Sequence, residues 1–266
     1  MKITSAMKMV SAAKLKKAQD AIQSMRPYSE KLTEILQNVS SSLSQDENPY
    51  ATERPAEKVL LVALTSNRGL CGPFNSSIIK GTLARAAALK GANVQVFAIG
   101  KKGAELLSKT LNVVEREVDI WNDISYENTD AIAEALMTGF LEKKWDRIEL
   151  MYNQFKNAAV QIVTNEQFLP IQIPESKGSS GDYIYEPNKE EIIKELIPIS
   201  LRTQLFKAIL DSNASEHGAR MTAMHKATDN AGELRGDLSL EYNKARQAAI
   251  TNEILEIVSG ANALEG

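Results

Sequence analysis

The 266-residue chain contains one cysteine, Cys71, which excludes an intrachain disulfide or a thiolate metal cluster and agrees with a reducing compartment. No stretch approaches the roughly 20 consecutive apolar residues of a membrane span, and the N-terminus lacks a short apolar core followed by a small-residue cleavage site. Synthesis and retention in the cytoplasm are therefore expected. His217 and His225 are the only histidines, too far apart for a two-ligand metal site at i, i+4. The glycine fingerprints of dinucleotide and phosphate loops are missing, and no serine lies in a GxSxG setting. The sequence thus offers no metal site, no cofactor site and no hydrolase triad. A net charge of -3 and a pI near 5.6 argue against general nucleic-acid affinity.

Breakers and aromatics are scarce at both ends. The first glycine is Gly69, and from Ile199 to Gly266 there is no proline and only two aromatics, Phe206 and Tyr242. Seven of the eight prolines fall between Pro49 and Pro198. A single globule has no use for such polar, breaker-free ends, so a compact middle flanked by extended helices is expected.

In the first segment Ile3, Met7 and Val10, then Ala18, Ile22 and Met25, then Leu32, Leu36, Val39 and Leu43 recur at spacings of three or four, which predicts a long helix. Pro27 is expected to kink it or start a second helix, and a polar loop follows over Ser40 to Pro49. The segment is basic: seven Lys and Arg stand against Asp20 and Glu30 up to Lys31. Such a run is most simply a charged helix face.

From Glu53 the period changes. Val59 to Thr65 and Val94 to Ile99 read as buried strands, separated by a Gly-bearing turn at Arg68 to Gly72 and a helix from about Phe74 to Leu89. A short helix is expected near Ala104 to Ser108, and another capped by Thr129 or Asp130 runs through Leu141, with Glu134 early in it. Arg147 to Tyr152 and Ala159 to Thr164 read as two more strands, close enough to form a hairpin. A loop, Lys177 to Asp182, precedes a short strand, Tyr183 to Tyr185. This alternation gives an α/β domain with a mainly parallel sheet. After Pro198 a helix is expected to the end. Its apolar residues cannot all be buried on so small a domain, so it pairs with the N-terminal helix in a long antiparallel coiled coil. The divisions expected are 1-52, 53-194 and 195-266.

The turn Arg68 to Asn75 joins a strand to a helix and invites comparison with a phosphate cradle. That feature motivates one alternative, a nucleotide-binding α/β enzyme with helical extensions. The simpler reading is that the glycines allow a tight turn. Glu253 and Glu256 lie three apart on a helix face, and a pair so placed is usually solvated or meets a basic partner; acid–base catalysis would need a cleft.

Several words carry more than composition does. Ile3 to Leu15 (ITSAMKMVSAAKL), Arg26-Pro27-Tyr28, Ser66 to Gly72 (SNRGLCG), Tyr183 to Pro187 (YIYEP), Ser215 to Met221, Ala227 to Ala231 (ATDNA), Tyr242 to Thr251 (YNKARQAAIT) and Glu256 to Ala261 (EIVSGA) closely resemble the gamma subunit of F-type ATP synthase, in order and spacing, across the whole chain.

The resemblance implies a rotary central stalk of bacterial type, not an enzyme. Its terminal helices would turn inside a ring of three alpha and three beta subunits and couple proton flow through the membrane ring to catalysis in the beta subunits. The foot would stand beside that ring and the epsilon subunit, so the protein would be peripheral on the cytoplasmic face of the plasma membrane. Met7, Arg220, Arg246, Gln247, Thr251, Glu253 and Glu256 match the family positions that meet the beta subunits, where charge-assisted contacts are expected. Tyr183, Tyr185 and Glu186 match those that meet the membrane ring and epsilon. Family members usually carry about fifteen or more residues before the position of Met1, so the expectation is either a misassigned start or a shaft short of its first turns.

Overall fold

The computed structural model describes residues 2–40, 49–171 and 189–265. Five strands, β1 (Lys58–Leu64), β2 (Asn93–Ile99), β3 (Asn112–Glu117), β4 (Arg147–Phe155) and β5 (Gln161–Leu169), form one sheet in the order β3-β2-β1-β4-β5. β1 is parallel to β2 and β4, β2 is parallel to β3, and only β5 runs antiparallel. This is the mainly parallel α/β sheet expected. The β4–β5 pair is also the expected hairpin, with β5 reaching five residues beyond Thr164.

β1 reads KVLLVAL, and its last six residues are buried. A strand apolar on both faces must be sandwiched, and the two faces go to different helices. Leu60, Val62 and Leu64 join Phe97, Ile148, Leu150 and Tyr152 under α4 (Tyr126–Leu141) and α5 (Lys189–Glu265). Ala63 joins Val96, Ala98 and Met151 under α2 (Phe74–Ala88) and α3 (Lys101–Leu107). α2 is fixed by charge as well, because Arg85 donates to both oxygens of the buried Glu149 at 2.7 and 2.6 Å. Burial draws that carboxyl upward, but the hydrogen bonds from Arg85 and Asn165 hold it below the usual carboxylate range. The β2–α3 turn requires glycine: Gly100 has φ 111°, and a Cβ there would lie 2.0 Å from the carbonyl oxygen of Thr65.

Three local expectations are corrected. α4 is capped by Ser125, whose Oγ accepts the Asn128 N–H at 3.1 Å; Thr129 lies within the helix and donates its hydroxyl to the Ser125 carbonyl. β3 was not expected at all. It is an edge strand with the sequence NVVERE, mostly exposed, so it carries no buried apolar run to read. α5 starts before Pro198, which sits inside it; a proline removes a single N–H donor, and the buried Ile197, Leu201 and Leu205 hold the helix on the sheet. The loop over Ser40 to Pro49 lies largely outside the described residues, as do the loop Lys177 to Asp182 and the strand Tyr183 to Tyr185.

α1 (Lys2–Ser40) is one helix with Pro27 inside it. It lies antiparallel to α5. Leu15, Ala18 and Ile22 share an apolar cluster with Leu210 and Ala214, whereas Thr4, earlier in α1, accepts the hydroxyl of Thr228, later in α5, at 2.8 Å. The small residues Ala18 and Ala214, 4% and 0% exposed, let the helices close on each other. Each large apolar side chain buried in this seam contributes about 1.5–3 kcal/mol. At 77 residues, α5 is about 115 Å long, far more than the sheet can cover.

Candidate functional site

The sheet reverses its strand order at β1, which has β2 on one side and β4 on the other. In open α/β sheets that is where a crevice opens at the strands' carboxyl ends and ligands bind. Here α5 fills it. Ser215 Oγ donates to the carbonyl of Asn153 at 2.9 Å, and Asn153 in turn donates to the carbonyl of Phe74 at 3.0 Å. Ala219 packs on Cys71 and Phe74.

The turn after β1 is shaped from within. Ser66 N–H donates to Asn75 Oδ1 at 2.9 Å, and Asn75 Nδ2 donates to Ser66 Oγ at 2.8 Å and to Cys71 Sγ at 3.2 Å. Leu70 and Gly72 adopt left-handed φ values of 63° and 57°. The result points carbonyls, not N–H groups, at the neighbouring helix. Arg220 Nη2 donates to the carbonyl oxygens of Arg68 at 3.0 Å and Gly69 at 3.2 Å, and its Nη1 is paired with Glu216. A loop built this way receives a cation from its own chain. Burial pushes the Cys71 thiol up, which leaves it an inert packing residue.

Beyond this joint the surface changes character. Every residue of α5 from Glu233 to Ala263 is exposed. Apolar side chains are exposed with the rest: Leu238 by 55%, Tyr242 by 66%, Ile254 by 55% and Ile257 by 71%. A solvated helix with such residues on several faces has the composition of a buried one, and exposed apolar surface on this scale marks an interaction site.

Arg246, Gln247, Thr251, Glu253 and Glu256 all lie on this exposed length. Thr251 donates its hydroxyl to the Gln247 carbonyl at 2.9 Å. Met7 is half-buried on α1. Arg220 stands apart from them, 9% exposed and engaged inside the joint. About 40 Å of helix separates it from Gln247. The seven residues are therefore strung along the helix pair and do not converge on one pocket. Tyr183, Tyr185 and Glu186 lie outside the described residues. Sequence reading missed the anchors of the joint, Glu216, Ser215 and the carbonyls of Arg68 and Gly69. The i, i+4 spacing of Glu216 and Arg220 was a usable signal for the first. The others depend on long-range approach.

Among the described residues no group of three or more His, Cys, Asp or Glu side chains is placed to hold a metal ion, and no helix is long and apolar enough to cross a membrane.

A family model described as ATP synthase matches residues 1–264. The chain is 62% identical to an ATP synthase gamma chain of Flavobacterium psychrophilum, covering 100% of this chain and 94% of that one. It is 42% identical to an ATP synthase gamma chain of Geotalea uraniireducens, covering 99% and 93% respectively. Among solved structures it resembles a chain in the central stalk and c-ring of the Tetrahymena thermophila mitochondrial ATP synthase, with TM-score 0.63 and 27% identity over 85% of this chain and 99% of that chain. A chain of the Euglena gracilis mitochondrial ATP synthase has the same fold, with TM-score 0.61 at 19% identity over 98% of this chain and 95% of that one.

Proposed function

The chain belongs to the ATP synthase gamma-chain family, and from that premise we propose how its surfaces serve the central stalk. A gamma chain is the stalk subunit of F-type ATP synthase and is not catalytic; catalysis resides in the beta subunits. Its partners are the alpha and beta subunits, epsilon and the c-ring.

The observation that carries the reading for this chain is the bare length of α5. From Glu233 to Ala263 it exposes apolar, cationic and anionic side chains in turn, so each angular position presents a different face. Enclosed by three alpha and three beta subunits, such a helix buries its apolar residues and meets the three beta subunits differently at any instant. Arg246, Gln247, Thr251, Glu253 and Glu256 supply hydrogen bonds and charge to beta-subunit loops, with Met7 adding contact from α1. Arg220 acts from further back, through its hold on the Arg68–Gly69 turn. Residues 1-52 and 195-266 act as the shaft and 53-194 as the foot. Tyr183, Tyr185 and Glu186 belong to the surface facing the c-ring and epsilon. The complex places the subunit, peripherally, on the cytoplasmic face of a bacterial plasma membrane, where ion flow drives ATP synthesis.

Reconstitution tests this. Alpha and beta subunits mixed with the chain are expected to gain sustained multisite ATPase turnover, and calorimetry on the chain alone is expected to detect no tight ATP binding. Turnover unchanged by the chain, or tight nucleotide binding by the chain alone, refutes the stalk reading.

A further inference from the structure

Asp211 on α5 is 3% exposed, and its Oδ1 is buried without a hydrogen-bond partner. It sits where three elements meet. The backbone N–H of Phe155, at the end of β4, faces its carboxyl group and favours the ionised form. Its neighbours Leu210 and Phe155 both belong to the apolar cluster that joins Leu15, Ala18 and Ile22 of α1 to α5.

Four ionisable groups face Asp211, one from each surrounding element. Lys207 on α5 and Arg26 on α1 favour its ionised form, and Glu166 on β5 opposes it. Tyr152 on β4 feels its charge but donates its hydroxyl to Glu166 Oε2 at 2.6 Å. The other Glu166 oxygen accepts from Gln204 at 2.8 Å. Glu166 therefore has donors for both oxygens, whereas Asp211 Oδ1 has none. An ionised carboxylate in that position keeps a bare oxygen out of water, a costly arrangement that protonation relieves. Burial, with Glu166 adding to it, pushes the Asp211 carboxyl above the usual carboxylate range.

We propose that Asp211 is a proton-binding switch at the joint between sheet and helix pair: protonated, it rests in the apolar seam, and ionised, its unpartnered oxygen draws toward solvent and loosens the end of β4 from α1 and α5. The inference rests on the joint alone and stands whether or not the chain serves as a rotor.

Thermal unfolding of the full chain and of Asp211→Asn, measured from about pH 3.5 to about pH 8, tests it. A carboxyl whose pKa is raised on folding contributes stability below its unfolded value and loses it as pH rises through the folded value. The asparagine keeps an oxygen for the Phe155 N–H and cannot ionise. Its Tm relative to wild type is therefore expected to climb as pH rises from the unfolded carboxyl value of about 3.9 through the folded one; His217 titrates in both chains and cancels. A Tm difference that does not change with pH overturns the proposal. Glu166→Gln gives a second measurement if the asparagine variant fails to fold. The Phe155 amide resonance is expected to titrate in wild type, with its midpoint moved to lower pH once the facing charge is gone. An amide that does not titrate, or a midpoint that does not move, also overturns it.

Discussion

The guanidinium of Arg220 lies 3.0 Å from the carbonyl oxygen of Arg68, 152 positions away in the chain. One side chain thus fastens the long helix α5 to the turn that follows the central strand. The same guanidinium is paired with Glu216 one helical turn back, so a cation that would be expensive to bury meets a carboxylate and two carbonyls at once. Such contacts, with the packing of Ala219 on Cys71 and Phe74, join α5 to the sheet.

Replacing Arg220 by Ala is expected to cost about 3 kcal/mol, because Glu216 is left buried and unpaired. Urea unfolding measures it. The double variant Arg220→Met with Glu216→Gln should recover much of that loss, since neither side chain then carries charge. Equal losses in single and double variants would mean that the pair itself contributes nothing and only the packing matters.

The sheet centre was legible because β1 is an unbroken apolar run, VLLVAL, and β2 and β4 carry enough buried apolar residues to read as strands beside it. β3 escaped because an edge strand has little to bury; its residues Glu115 and Glu117 face water or the turn at Asp119. The helix pair was legible in outline, since α5 carries more apolar residues than a small domain can cover. Its start was not, because Pro198 looks like a boundary until Ile197 and Leu201 are seen held by the sheet. Among site residues, those on the exposed length of α5 follow from word-level resemblance alone. The joint could not be read that way. Arg68, Gly69 and Arg220 meet only once the chain has folded.

The seam between α1 and α5 should be sensitive to volume. Ile22 is 5% exposed and packs in the cluster with Leu210 and Ala214. Ile22→Ala is expected to lower stability by about 2–5 kcal/mol through lost burial and the cavity left behind. Hydrogen exchange should show the faster opening in α1 and in the facing part of α5, while β1 stays protected. Uniformly faster exchange, β1 included, would mean that seam and sheet unfold as one unit.

Acid should weaken the joint from the other side. His217 on α5 has its Nδ1 buried without a partner. Burial, with the positive charges of Arg220 and Lys14 adding to it, lowers its pKa from the ordinary 6.5 to about 4. A base whose folded pKa is depressed contributes stability above the unfolded value and loses it as pH falls toward the folded one. Wild-type Tm should therefore decline between about pH 6.5 and pH 4 more steeply than that of His217→Leu. Parallel acid limbs for the two chains would remove His217 as the cause.

The exposed length of α5 separates function from folding. Arg246 and Gln247 are fully outside the packed part of the chain, with every residue from Glu233 to Ala263 exposed, so Arg246→Ala and Gln247→Leu remove no intramolecular contact of consequence. Exposed helix substitutions of this kind change stability by about 0.5 kcal/mol or less. Melting temperature and the fold of the sheet should accordingly match wild type. If these side chains bind beta-subunit loops through charge-assisted hydrogen bonds, worth about 1.5–3 kcal/mol each, losing one should slow coupled ATP synthesis by about tenfold or more in complexes assembled to the normal level. Normal synthesis by such complexes would detach Arg246 and Gln247 from the drive and leave the apolar faces of α5 to transmit it.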